Sequence, residues 1–224
     1  MSTPSRLSNY RLVSTTDPEH AASILSQELT DCRLRRVDNR SQFRLDLNGV
    51  RLGDSLVAWT HYETHTLADY TDGGNEIAFA LGSGMPVIHS GSDSIVCNES
   101  TGVVVTPNSQ TVDRPAGSSS VIVKTTTDAL LRRYREITGR DPAGPLRFNP
   151  QVDLTKGPGA VASRTLLNVV RELETTDTTV TSEILRRSTD DLLMGVILSL
   201  PHSHMDQFVQ YGDLEVSAIV RHAE

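Results

Sequence analysis

The octapeptide WTHYETHT, residues 59–66, sets His61, Glu63 and His65 at every second position, with Trp59 in the same phase. On a β-strand successive side chains alternate between faces, so these four would share one side. Three chemistries suit such a set: metal ligation, general acid–base work, or the lining of a small-molecule pocket in which an indole supplies apolar area. At roughly 3.3 Å per residue, His61 and His65 stand about 13 Å apart, too far for one ion on a straight strand. Neighbouring alternates, about 6.6 Å apart at Cα, could share one, with His89 of "PVIH" as a third ligand if its strand adjoins. The pocket reading takes Trp59, His61 and His65 together with Phe79, Met85 and His89 as ligand-binding residues. The plainest reading is an exposed or rim-facing polar strand face, with Ala58, Thr60 and Tyr62 on the other side.

Other stretches offer less chemistry. No G-x-S-x-G elbow is present, and "AGSSS" reads as a turn before a strand. "GSGMP" has no helix after it to form a phosphate loop, and "KGPG" reads as a plain helix start. "PHSH", with His202 and His204, reads as a loop between helices. No catalytic residue, resident metal or cofactor is therefore expected.

The elements that must position these residues follow from periodicity. "TTDPEHAASILSQELTD" has Thr16 or Asp17 as a helix cap, Pro18 in the first helical position, and Ala21, Ile24, Leu25 and Leu29 on one face. From Arg33 to Lys124 the period becomes two. Phe43, Leu45 and Leu47 alternate with polar residues up to Asn48-Gly49, a hairpin signal with the return strand starting near Val50. "SLVAWTHYETHT", "EIAFALG", "MPVIH", "DSIVCN", "GVVVT" and "SSVIVKT" follow as strands, separated by turn clusters such as "NEST" and "DRPAGSS". No helical pattern interrupts them, which indicates an antiparallel sandwich or barrel.

After Lys124 helices return. "TDALLRRYREITGR" puts Leu130, Leu131, Tyr134 and Ile137 on one stripe, capped by Thr127 or Asp128 and stopped by Gly139. Arg132, Arg133, Arg135 and Arg140 then form a solvated face. A Pro/Gly-rich connector leads to helices at about 160–174 and 182–200, with a further helix beginning near "LEVSAIVRHAE". The fold class is α+β: an antiparallel β-barrel or sandwich followed by a layer of α-helices. The expected division is an N-terminal segment with a helix (1–32), the β-barrel (33–126), a helical layer (127–212) and a short final segment (213–224).

A chain of 224 residues with 21 Lys+Arg against 28 Asp+Glu carries a net charge of −7, a poor match for a nucleic-acid backbone. Its two cysteines, Cys32 and Cys97, form no C-x-x-C pair, and no apolar run resembles a leader or a membrane span. A cytoplasmic protein without membrane contact is expected.

Several stretches together resemble one family. "VIVKTTTDALLRRYREITGRDPAGPLRFNPQVDLTKGPG" is similar to the strand, capped helix and connector of the N-terminal regulatory domain of AraC/XylS-type bacterial transcription regulators, the AraC-binding-like group. "RLGDSLVAWTHY" resembles its hairpin strands, "SLPHSH" the loop before its DNA-binding region, and "VSAIVRHAE" the opening of its helix-turn-helix module. The resemblance spans most of residues 11–224 and is densest over 121–160. It implies an antiparallel cupin-like barrel that senses a small organic molecule and helices that support a homodimer, with Leu166, Val170, Leu193 and Ile197 as dimerisation candidates. DNA would be reached only through a C-terminal helix-turn-helix module not contained here. Between Asp69 and Ser120 only the strand pattern matches, and the cupin His-x-His metal signature is not reproduced.

The alternative is a metal-dependent cupin enzyme using His61, Glu63 and His89. A stoichiometric transition metal in the purified protein, lost on His61→Ala, would mark the enzyme; its absence on elemental analysis would sink that reading.

Overall fold

The computed structural model describes residues 5–37, 42–71, 74–106, 108–175, 182–206 and 208, with side chains of the last helix described from 187 onward. The final segment, 213–224, lies outside the described residues. A 3-10 turn at Ser8–Tyr10 leads into β1 (Arg11–Thr15), α1 (Pro18–Glu28), β2 (Cys32–Arg36), β3 (Leu45–Leu52), β4 (Ser55–Tyr62), β5 (Thr66–Tyr70) and β6 (Glu76–Ser83). The chain continues through β7 (Val87–Ser90), β8 (Asp93–Val96), β9 (Thr101–Val105), β10 (Gln110–Arg114) and β11 (Ser118–Thr126). It ends in α2 (Thr127–Thr138), β12 (Gln151–Asp153), α3 (Gly157–Thr175) and α4 (Ser182–Ser199).

Two antiparallel sheets pack face to face as a sandwich, not closed into a barrel. One runs β1-β3-β4-β11-β6-β9-β12 and the other β2-β5-β10-β7-β8. β1 and β12 join the first sheet from outside the expected 33–126 span. α1 connects the edge strand β1 to the edge strand β2 of the other sheet, so it covers the gap between them. Its Asp17 cap accepts from the amides of Glu19 and His20, and Ala21, Leu25 and Leu29 pack on Phe43, Leu45 and Leu47.

The remaining helices cover the outer face of the seven-stranded sheet. Leu166, Val169, Val170 and Leu173 of α3, with Leu192, Val196 and Ile197 of α4, share one core with Val57, Trp59, Phe79, Val121 and Val123. Each of these strand residues is an odd position. The even positions of the same strands, Leu56, Ala58, Tyr62 and Ile122, pack inward with α1 and β3. α2 starts one residue earlier than its sequence suggests, because Thr126 accepts from the Ala129 amide, and it ends at Gly139 with φ 70°. Arg132, Arg135 and Arg140 are exposed as expected, Arg132 pairing with Asp54, but Arg133 is largely buried against α4, where its guanidinium meets the Asp190 carboxylate at 3.3 Å and donates to the Asp190 carbonyl at 3.2 Å.

Three strand assignments differ from the sequence reading. Asn48-Gly49 is not a turn: β3 runs through it, and the two-residue turn is Gly53-Asp54, with Leu52 opposite Ser55 and Gly53 at φ 57°. Asn48 is buried instead, its amide donating to the Arg6 carbonyl at 2.6 Å and to Ser5 Oγ at 3.2 Å. At Gly49 a Cβ would stand only 3.1 Å from Leu12 Cδ1 and 3.2 Å from the Val57 carbonyl, so close packing, not a turn, calls for the glycine. WTHYETHT is not one strand: β4 ends at Tyr62 and Thr66 opens β5 in the opposite sheet. Finally, β10 was hidden beside the turn cluster DRPAGSS, and its Asp113 and Arg114 pair across β5 with Leu67 and Thr66.

The connector motif KGPG has a packing reason of its own. A Cβ on Gly159 would lie 2.2 Å from the Asp153 carbonyl oxygen and 2.6 Å from Val152 Cγ1, so the first turn of α3 touches β12 directly. Gly159→Ala should therefore lower stability by about 1–3 kcal/mol, the usual cost of overpacking, read as a lower melting temperature or denaturant midpoint.

Candidate functional site

The inward face of β4, β6 and β11 carries small residues. Ala58 and Thr60 lie opposite Ile122 and Ser120, which lie in turn opposite Ala80 and Gly82. Gly82 is close-packed, since a Cβ there would stand 2.8 Å from Cys97 Sγ. Small side chains on one sheet cannot fill the gap to the other, so space remains between them. The cavity holds about 70 Å³ of space and opens partly to solvent, so it is smaller than most small-molecule sites. Its walls are mostly apolar: Ala78, Ala80, Ile88, Val105, Val112 and Ile122. A shallower depression shares Thr30, Gln110 and Lys124 with it and extends to the exposed Thr71 and Asn108, marking the mouth.

Charge sits at both ends of this cavity, on different terms. At the mouth, Lys124 Nζ is 2.7 Å from Glu76 Oε1 and also donates to the Leu29 carbonyl, while Thr30 Oγ1 donates to Glu76 Oε2 at 3.1 Å. This cation is neutralised. At the inner end Arg114 is 5% exposed, donates from Nη1 to Ser120 Oγ at 3.2 Å, and lies over the Tyr62 ring at 4.8 Å from its centroid. Among the described residues no carboxylate comes within 4.0 Å of its guanidinium. Its Nε is buried without a hydrogen-bond partner, as are Thr60 Oγ1 and Ser118 Oγ on the same inward face. Burial raises the phenol pKa of Tyr62 far above its ordinary value, and that of Tyr70 as well, so neither supplies a counter-charge. The Tyr62 hydroxyl lies beside that of Tyr70 without a well-formed hydrogen bond.

The residues expected to bind ligand lie elsewhere. Trp59 and Phe79 point away from the cavity into the core beneath the helices, and His61 stacks on Trp59 with ring centroids 5.7 Å apart. His65 meets Asp113 at 2.7 Å and His89 meets Ser94 at 2.7 Å, on the outer face of the five-stranded sheet. Met85 is exposed in a turn with φ 59°. None of the six lines the cavity; the opposite face, which holds Ala58, Thr60 and Tyr62, is the inward one. The enzyme alternative loses its triad for the same reason. Glu63 is on the surface against Arg44, and His61 and His89 belong to different sheets with their side chains turned outward. Among the described residues no group of three or more His, Cys, Asp or Glu is placed to hold a metal ion.

The dimerisation candidates are also mostly interior. Leu166, Val170 and Ile197 are 0–1% exposed within the single chain, and only Leu193 is partly exposed. Arg114 is the functional candidate missed by sequence reading. Its signal was the alternation Val112-Asp113-Arg114 before Pro115, obscured by the Pro/Gly cluster that follows. Cys32 and Cys97 are buried free thiols whose pKa burial pushes up to about 11.

The loop after α4 is built on two buried imidazoles. His202 Nε2 donates to the Ile197 carbonyl at 2.8 Å and its Nδ1 accepts from the His204 amide at 3.2 Å, so both contacts require the neutral ring. His204 Nε2 lies 3.1 Å from the Gly144 carbonyl.

A face-to-face antiparallel sandwich with a closed-in cavity and a helical layer defines a cupin-like ligand-binding fold. The sequence profile of the AraC-binding-like domain matches residues 21–198, most of the chain, and the protein belongs to that family. Its fold is similar to the crystal structure of the AraC-like transcriptional activator CuxR, with a TM-score of 0.57 at 14% identity over 93% of this chain and 79% of that one. Partial overlaps reach the cupin-2 domain of an XRE family transcriptional regulator from Enterobacter cloacae, at 9% identity and TM-score 0.32 over 37% of this chain and 95% of that one. A predicted oxalate decarboxylase from Thermotoga maritima overlaps at 9% identity and TM-score 0.33 over 42% of this chain and 91% of that one. No curated protein matches the sequence. Among the described residues no helix is long and apolar enough to cross a membrane.

Burial holds the His202 pKa below its ordinary value of 6.5, with the neighbouring His204 acting in the same direction. The unfolded chain therefore binds the extra proton first, and stability falls as pH drops through 6.5 towards the lower folded value. The melting temperature of the protein should decline more steeply between about pH 7.5 and pH 5.5 than that of His202→Gln, the difference between the two profiles isolating this residue.

Proposed function

We propose that this chain is the effector-sensing and dimerisation part of an AraC-type transcription regulator, with no catalytic role. DNA contact falls to a helix-turn-helix module whose opening resembles residues 216–224. The effector is a small organic molecule, and the observation that carries this reading is the half-enclosed apolar cavity between the sheets with Arg114 and Ser120 at one end. The family membership supports a regulatory role, and the described residues supply no nucleophile–base pair or metal cluster in the cavity.

Binding there can alter the helical layer because the same strands carry both. Ile122 faces the cavity, while Val121 and Val123 support the helices that pack on the outer face. A ligand that fits the cavity better in one arrangement of the helical layer than in another shifts the balance between them.

The reading is tested by melting the protein against a library of small organic molecules. A true effector at 100 times its dissociation constant adds about 2.7 kcal/mol of stability, and this gain should disappear when Ala80→Leu fills the cavity. Stabilisation that survives Ala80→Leu, or none at all across the library, would remove the cavity as the effector site.

For the dimer, the partly exposed Leu193 on α4 is the contact residue among the four candidates. Leu193→Glu should shift the mass measured by light scattering from dimer to monomer with little change in protomer stability. Leu166→Ala should instead cost about 2–5 kcal/mol of stability, the range for a buried leucine truncated to alanine.

A further inference from the structure

We propose that the cavity takes an organic monocarboxylate, its head group on Arg114 and Ser120 and its apolar body against Ala80, Ile88 and Ile122. This deepens the effector reading above and rests on it.

The argument starts from the cost of an uncompensated buried cation. A guanidinium stays protonated inside a protein, and removal from water without a counter-ion is expensive unless a partner arrives. Arg114 is 5% exposed, and its contacts are the hydroxyls of Ser120 and Tyr70 and the face of the Tyr62 ring, all neutral. Its Nε, Thr60 Oγ1 and Ser118 Oγ are left unpartnered in the same inward-facing region. Arginine's planar fork matches a carboxylate, which would neutralise the charge and accept hydrogen bonds together.

The count of one charge comes from the other end. Lys124 already has Glu76 at 2.7 Å and a backbone carbonyl, so the mouth offers no second free cation for a dicarboxylate. Between the two ends the lining is aliphatic, which suits a hydrocarbon or ring and not a sugar with many hydroxyls.

The test is isothermal titration of the 224-residue chain with octanoate and with octanamide, which share a tail and differ in head-group charge. Octanoate should bind about 10- to 100-fold tighter, as a charged hydrogen-bonded pair dictates. Arg114→Met should abolish that preference and, with no ligand, melt no lower than the parent protein, because it removes an unpaired buried charge. Ser120→Ala is the second variant, should Arg114→Met fail to fold. It should weaken octanoate more than octanamide. Ala80→Leu should abolish binding of both.

Equal binding of octanoate and octanamide, both lost in Ala80→Leu, would overturn the carboxylate and leave the cavity as an effector site. Binding of either probe that persists in Ala80→Leu would overturn the proposal and the cavity reading together, and binding of neither at millimolar concentration would overturn the proposal alone. Arg114→Met that folds but melts clearly lower, with the octanoate preference intact, would make Arg114 a structural residue and overturn the assignment.

Discussion

Burial of the central strands on both faces is the constraint on which the rest of this structure depends. β4, β6 and β11 lie in the middle of the seven-stranded sheet, with helices on one side and the second sheet on the other. Every residue along them must satisfy one of two environments, and the alternation of the strand assigns which. Odd positions are large and apolar where they support α3 and α4. Even positions are small where they face the cavity, and the two sets are separated by no more than the thickness of one sheet. A change of volume on one face is therefore felt on the other.

The two cations of the interior show how differently one sandwich can treat charge. Lys124 is tied into a local network with Glu76, Thr30 and the end of α1, and this network closes the mouth while using up its charge. Arg114 sits deeper, against hydroxyls and a ring, and among the described residues no carboxylate comes within 4.0 Å of its guanidinium. A fold optimised only for stability would replace such a residue with an apolar one of similar size. Its Nε, like Thr60 Oγ1 and Ser118 Oγ on the same inward face, is buried without a hydrogen-bond partner.

Much of the architecture was legible because local chemistry and tertiary structure agreed. Asp17-Pro18 starts α1, Gly139 stops α2, and the apolar stripes of α3 and α4 face the sheet as their period requires. The family pattern around PLRF and KGPG was also readable, since Gly159 is held by direct contact with β12. Legibility failed where two signals competed. Asn48-Gly49 has the composition of a hairpin turn, but the asparagine is satisfied by the N-terminal segment and the glycine by close packing, while the less conspicuous Gly53-Asp54 turns the chain. WTHYETHT looked continuous because period two runs through Glu63, yet the chain crosses there from one sheet to the other.

That octapeptide separates what each level decides. The sequence by itself determined that Trp59, His61 and the even residues Ala58, Thr60 and Tyr62 would lie on opposite sides of a strand, because a side-chain period of two follows from backbone geometry. Which side is the interior was decided only by tertiary structure, because a strand buried on both faces shows no polar face to mark the outside. The helical layer took the side with the bulkier residues, and the second sheet took the smaller one with its hydroxyls. Arg114 became a site residue in the same way: the sequence places an arginine near a turn, and only the pairing of β10 between β5 and β7 turns it inward to face Ser120.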